Sequence, residues 1–134
     1  MEFFREVPIK VTEEWIYSKF TLANLSDFSN EIFVLEQQAE NEAQIGGLWG
    51  EFTLQRSLVK GGVRFALKEC PNALCWTLTT GYPPNREAII LHLTINRIQI
   101  AAEFTEEINE FLADQKQCIE ANYHSLENRL ATSV

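Results

Sequence analysis

Phe52-Thr53-Leu54-Gln55-Arg56-Ser57-Leu58-Val59-Lys60-Gly61-Gly62-Val63-Arg64-Phe65-Ala66-Leu67-Lys68-Glu69 reads as a β-hairpin. Both arms are rich in residues that suit a pleated, half-buried surface, and Gly61-Gly62 supplies the positive φ angles of a tight turn without a Cβ penalty. Closing the turn at Gly61-Gly62 puts Phe52, Leu54 and Leu58 on one side with Val63, Phe65 and Leu67. Arg56 falls on that same apolar side, opposite Leu67. A guanidinium there must be paired, reach an edge or line a cavity, unless a β-bulge near Arg56-Ser57 turns it outward.

The pattern extends in both directions. Cys70-Pro71-Asn72-Ala73 is a turn, residues 74–80 a strand, Gly81-Tyr82-Pro83-Pro84-Asn85 a loop and residues 87–96 a further strand. Upstream, residues 31–37 are β-rich, whereas the polar run Gln38-Ala39-Glu40-Asn41-Glu42-Ala43-Gln44 leading to Gly46-Gly47 is expected to be loop. Residues 3–10 suit an edge strand whose pairing Pro8 restricts. Thr12-Glu13-Glu14-Trp15-Ile16 begins a short helix: Thr12 caps it, the glutamates suit the positive end of its dipole, and Val11 and Ile16 hold the staple positions.

Past residue 98 the period changes. Phe104, Ile108, Phe111, Leu112, Ile119, Leu126 and Leu130 recur at helical spacing, with Glu103, Glu106, Glu107 and Glu110 early and Arg129 late. One amphipathic helix over residues 98–130 follows. The expected fold class is α+β: an antiparallel β-meander of about five strands, a short N-terminal helix, and a long C-terminal amphipathic helix packed on one sheet face. Residues 1–134 form a single domain.

Composition narrows the class. Fifteen aromatic residues exclude disorder, and no uninterrupted apolar stretch is long enough to span a membrane. The start, Met1-Glu2-Phe3-Phe4-Arg5-Glu6, lacks the pattern of a secretory signal, so a cytoplasmic location is expected. Cys70, Cys75 and Cys118 then read as free thiols. Charge is uneven: residues 1–42 carry -6, residues 43–97 carry +3 and residues 98–134 carry -5, for a total of -8. That balance argues against nucleic acid, which needs a concentrated basic face.

Alternation gathers Gln55, Arg64, Lys68, Cys75, Thr77, Thr79, His92, Thr94 and Asn96 on the polar side of the sheet. A solvated surface accounts for such a face. A shallow site is the sharper reading, with Arg64 supplying charge, His92 a titratable group, and Thr77 and Thr94 hydroxyls for an anionic or polar ligand. Cys75 and His92 share this face as a conceivable nucleophile and base, without a third orienting group. No phosphate loop, dinucleotide fingerprint, nucleophile elbow or zinc motif is present, so catalysis, a metal and a cofactor are not expected.

Trp49 beside Gly46, Gly47 and Gly50, and Tyr82 before Pro83-Pro84, are candidate interface aromatics. Tyr123, Leu126 and Leu130 give the last helix more apolar positions than one sheet covers, which suggests a homodimer. The order of strand, short helix, meander and long helix resembles helix-grip ligand-binding domains in layout, and small acidic secretion chaperones are similarly α+β with amphipathic helices. Two functions are therefore expected. The first is a small acidic, non-catalytic interaction or regulatory protein that binds a protein partner. The alternative is a small-ligand binder whose pocket lies between sheet and C-terminal helix, with Arg56 inside and Arg64 or His92 at its rim.

Overall fold

The computed structural model describes the backbone of residues 1–132 and the side chains of residues 1–123. Elements follow in the order β1 (Glu2–Val7), α1 (Glu13–Lys19), α2 (Leu25–Phe28), β2 (Ile32–Ala39), β3 (Glu42–Gly47), β4 (Phe52–Val59), β5 (Gly62–Leu67), β6 (Cys75–Thr79), β7 (Ile89–Thr94) and α3 (Ala102–Thr132). The strands form one antiparallel sheet ordered β1-β7-β6-β5-β4-β3-β2. The class is α+β, with a seven-stranded sheet rather than one of about five strands.

The additional strand is β3, where a loop was expected. Its inward residues Ala43 and Ile45 are fully buried, but its polar alternates and two glycines weaken the sequence signal. The glycines answer to the neighbouring strand β2. A Cβ on Gly46 would meet the Phe33 ring at 3.2 Å, and one on Gly47, where φ is +145°, would lie 2.2 Å from the Glu31 carbonyl.

The hairpin also closes one residue earlier than expected. Val59 pairs with Gly62, so Lys60 and Gly61 make the turn, and Arg56 faces Phe65 instead of Leu67. Gly61 alone supplies the left-handed φ, +92°. No register shift interrupts β4 and β5, so no bulge turns Arg56 outward. Leu58 shares Arg56's side of the sheet yet is 58% exposed near the turn.

At the N-terminus, Thr12 accepts a hydrogen bond from the Trp15 N–H (3.1 Å) and caps α1 as its position implied. β1 ends before Pro8 and occupies a sheet edge, where a missing N–H disturbs no ladder. Helix α3 begins at Ala102, leaving Ile98 outside it and 92% exposed. Its buried stripe is Ile108, Phe111, Leu112, Gln115 and Ile119. Phe111 meets the Trp76 indole edge-on at 5.1 Å, so the helix closes the inner face of the sheet. Among the described residues, no helix is long and apolar enough to cross a membrane.

Candidate functional site

The two faces of the sheet divide the residues singled out from sequence. Inside, Arg56 is 8% exposed, and all three of its guanidinium nitrogens are bonded. Nε donates to the Phe20 carbonyl (2.7 Å), Nη2 to the Tyr17 carbonyl (2.7 Å) and Nη1 to Asn41 Oδ1 (3.0 Å). Tyr17 lies in the last turn of α1 and Phe20 is its C-cap. A helix C-terminus exposes unpaired carbonyls and the negative end of its dipole, so Arg56 works as a cap delivered from the sheet. Burial pulls its pKa below the ordinary arginine value, and Glu40 opposes that shift. The expected pocket anchor is thus a brace between β4, α1 and the turn after β2.

The outer face carries the other four candidates. Arg64, Thr77 and His92 are successive cross-strand partners, and Phe4 on β1 completes the row beside His92. His92 Nε2 lies 3.0 Å from Glu2 Oε1, and its ring stacks on Phe4 with centroids 4.3 Å apart and planes within 3°. Thr94 lies in the next row opposite Cys75, whose Sγ is 3.1 Å from Thr94 Oγ1. The Cys75 thiol therefore faces Thr94, while the His92 nitrogen is engaged by Glu2; the conceivable Cys75 and His92 pair is not formed.

Among the interface candidates, Trp49 turns inward. Its ring packs against Phe104 (6.0 Å) and Phe111 (5.1 Å) at the N-terminal end of α3. Tyr82 is partly exposed, and its hydroxyl donates to the Lys60 carbonyl at 2.9 Å. Tyr123 is half-buried, edge-on to Trp15 at 6.0 Å. Leu126 and Leu130 lie outside the residues whose side chains are described.

Sequence reasoning singled out Arg56 but passed over the other interior polar groups, Ser29 and Gln115. Ser29, Arg56 and Gln115 are the buried polar residues among those described. Unlike Arg56, Gln115 has neither amide atom partnered, and the Ser29 hydroxyl and Trp76 Nε1 are likewise buried without a protein partner. A crevice of about 260 Å³ opens between α1, α2 and α3, lined by Trp15, Phe20, Phe28, Ile119 and Tyr123, with Lys19, Asn24, Asp27 and Asn122 also present. Gln115 lies one turn before Ile119, Ser29 follows Phe28, and Trp76 touches Phe111, one turn before Gln115. None of Gln115, Ser29 and Trp76 lines the crevice itself, and a further buried group without a protein partner, Trp49 Nε1, lies toward Phe104 at the start of α3.

A polar clasp ties α2's end to α3. Asp114 accepts from the Asn30 backbone N–H (2.8 Å) and side-chain amide (3.0 Å), and that amide also reaches Cys118 Sγ at 3.3 Å. Burial first, and then neighbouring Asp114, push the Cys118 thiol up to about 11. Asn122, one turn farther, donates to the Asp27 carbonyl. These bonds hold the walls of the crevice in place. No protein-family model, curated protein or solved structure matches the chain.

Proposed function

We propose that the protein binds a small, uncharged, carbonyl- or hydroxyl-bearing molecule in the crevice between the α1 and α2 segment and α3. The observation that carries this reading is the crevice walled by Trp15, Phe20 and Phe28, with the buried, unpartnered amide of Gln115 one turn along α3 from the lining residue Ile119. A buried amide left unmatched costs about 1–3 kcal/mol, so a ligand group that pairs with it gains binding energy from a penalty already present in the fold. Ser29 Oγ and Trp76 Nε1 offer further hydroxyl and N–H partners. The rings of Trp15, Phe20 and Phe28 suit an apolar ligand body, while Lys19 and Asp27 in the same lining carry opposite charges that leave the crevice without net charge. A neutral polar head is therefore favoured over an ionised one.

The crevice volume, about 260 Å³, lies just below the ~300 Å³ at which ligand pockets usually begin, which limits the ligand to a small one. The long helix closed over an antiparallel sheet also agrees with the helix-grip layout. Native mass spectrometry of the purified chain should show a reproducible extra mass. Titration with benzamide, a neutral ring bearing an amide, should shift the Trp76 indole N–H resonance, and Gln115→Leu should abolish both signals while the protein stays folded. An unshifted Trp76 resonance and no retained mass would defeat the proposal.

The protein-partner reading is supported by a separate observation. Phe33 and Leu35 on edge strand β2 are 52% and 47% exposed, side by side over Gly46. The same mass spectrum reports it: a clean dimer without added mass would favour association over ligand binding.

A further inference from the structure

The outer face holds a second concavity, separate from the crevice beneath α3. It is a groove of about 430 Å³ whose lining includes Phe4, Lys60, Thr77, Thr79, Tyr82 and His92, with Ile90 at its floor. Both aromatic walls are held in place. On one side, the contact with Glu2 orients His92, and Phe4, 50% exposed, stacks on one face of the imidazole and backs it. On the other, Tyr82 is tied to the Lys60 carbonyl and its ring lies against Gly61, where an added Cβ would approach it to 2.5 Å.

Polar groups complete the groove. Among the described residues, the hydroxyls of Thr77 and Thr79 make no hydrogen bond within the protein, and Lys60 and Arg64 form no ion pair. Arg64 lies just outside the lining as the direct cross-strand neighbour of Thr77, so it stands about two strand spacings, ~10 Å, from His92. Of the acids nearby, Glu2 is engaged by His92 and Glu13 accepts from the Gly61 N–H, while Glu6 stands on β1 directly opposite the floor residue Ile90, at the end of the groove away from Arg64. Positive charge thus collects at the β5 side and aromatic surface at the β1 and Tyr82 sides.

We infer that this groove is a binding site for a small aromatic carboxylate. The ring lies between His92, backed by Phe4, and the Tyr82 wall, while the carboxylate accepts from Arg64 at the margin of the groove and from the threonine hydroxyls, with Lys60 adding positive charge. A guanidinium and carboxylate form the strongest ordinary class of hydrogen bond, and the flat walls cost little ordering because the protein already holds them. This assignment is independent of the crevice ligand.

Titration of the full chain with 2-naphthoate, followed by backbone amide NMR, tests it. Saturable shifts are expected at Thr77, Thr79 and His92, with affinity falling as salt rises. Arg64→Gln should weaken binding roughly tenfold, Phe4→Ala should weaken it as well, and the neutral 2-naphthalenemethanol should bind roughly tenfold less tightly than the acid. Arg64 and Phe4 are exposed, so both variants are expected to fold. Shifts confined to Trp15 and Trp76 would place the probe in the other crevice and overturn the assignment. Absence of saturation, or equal affinity for Arg64→Gln, would overturn it too.

Discussion

Arg56 and Gln115 are both polar and both sealed in the interior, yet their accounts differ. Arg56 has a partner for every guanidinium nitrogen, and those partners are the end of α1 and the turn after β2. Gln115 has no partner for either amide atom. A buried group that is completely matched holds elements together; a buried group left unmatched destabilises the fold and is suited to something from outside. Burial alone therefore does not distinguish a structural polar residue from a binding one, whereas its hydrogen-bond inventory does.

The largest effect is expected at Arg56. Arg56→Met removes the bonds to the Phe20 and Tyr17 carbonyls and leaves both acceptors covered, so urea unfolding should report a loss of about 2–4 kcal/mol. Arg56→Lys should recover only a part, since an ammonium lacks the planar fork that reaches three acceptors. A loss below about 1 kcal/mol would show that water replaces the guanidinium and that the brace is weak.

Gln115→Leu is the opposite case. Removing an unmatched amide while keeping an apolar side chain of similar size should raise the stability of the ligand-free protein by about 1–2 kcal/mol. A destabilisation of that size would mean that the amide has a stabilising role in the fold, erasing the contrast with Arg56.

Cys118 sharpens the comparison at the clasp one turn away. With its pKa about 11, it should alkylate with iodoacetamide far more slowly at pH 8 than an unperturbed thiol, as peptide mapping can measure. The neutral thiol is favoured by the fold, so its contribution to stability is complete below about pH 9 and is lost as pH rises toward about 11. Asp114→Asn removes the second cause of the shift and should accelerate the alkylation. The smallest effect belongs to the outward arginine: Arg64→Ala should change stability by less than about 0.5 kcal/mol in the same urea assay, since no partner is lost.

Much of this arrangement is legible along the chain. The hairpin around Gly61, the cap at Thr12 and the stripe from Ile108 to Ile119 depend on neighbours within a few residues, where turn chemistry and periodicity act. Alternation also places Arg64, Thr77, His92 and Thr94 on one face and Arg56 on the other. Strand β3 was obscured because its polar residues and glycines make sense only against Phe33, Leu35 and the Glu31 carbonyl. Helix α2, at four residues, was too short for a helical period to register. Gln115 carried a usable signal, since it lies four residues from both Phe111 and Ile119 on the apolar stripe.

By itself, then, the amino-acid sequence determined which side of each element is apolar, to within one residue where the principal hairpin turns, and that a long amphipathic helix follows the sheet, because these properties arise from local steric and hydrophobic patterns. Only the tertiary structure decided what each inward polar group meets. The acceptors of Arg56 are up to 39 residues distant in the chain, and the α3 face that carries Gln115 is buried against Trp76 of β6 through Phe111. Matching a buried donor to its acceptor requires directions and distances within a few tenths of an ångström, which packing establishes and residue spacing does not.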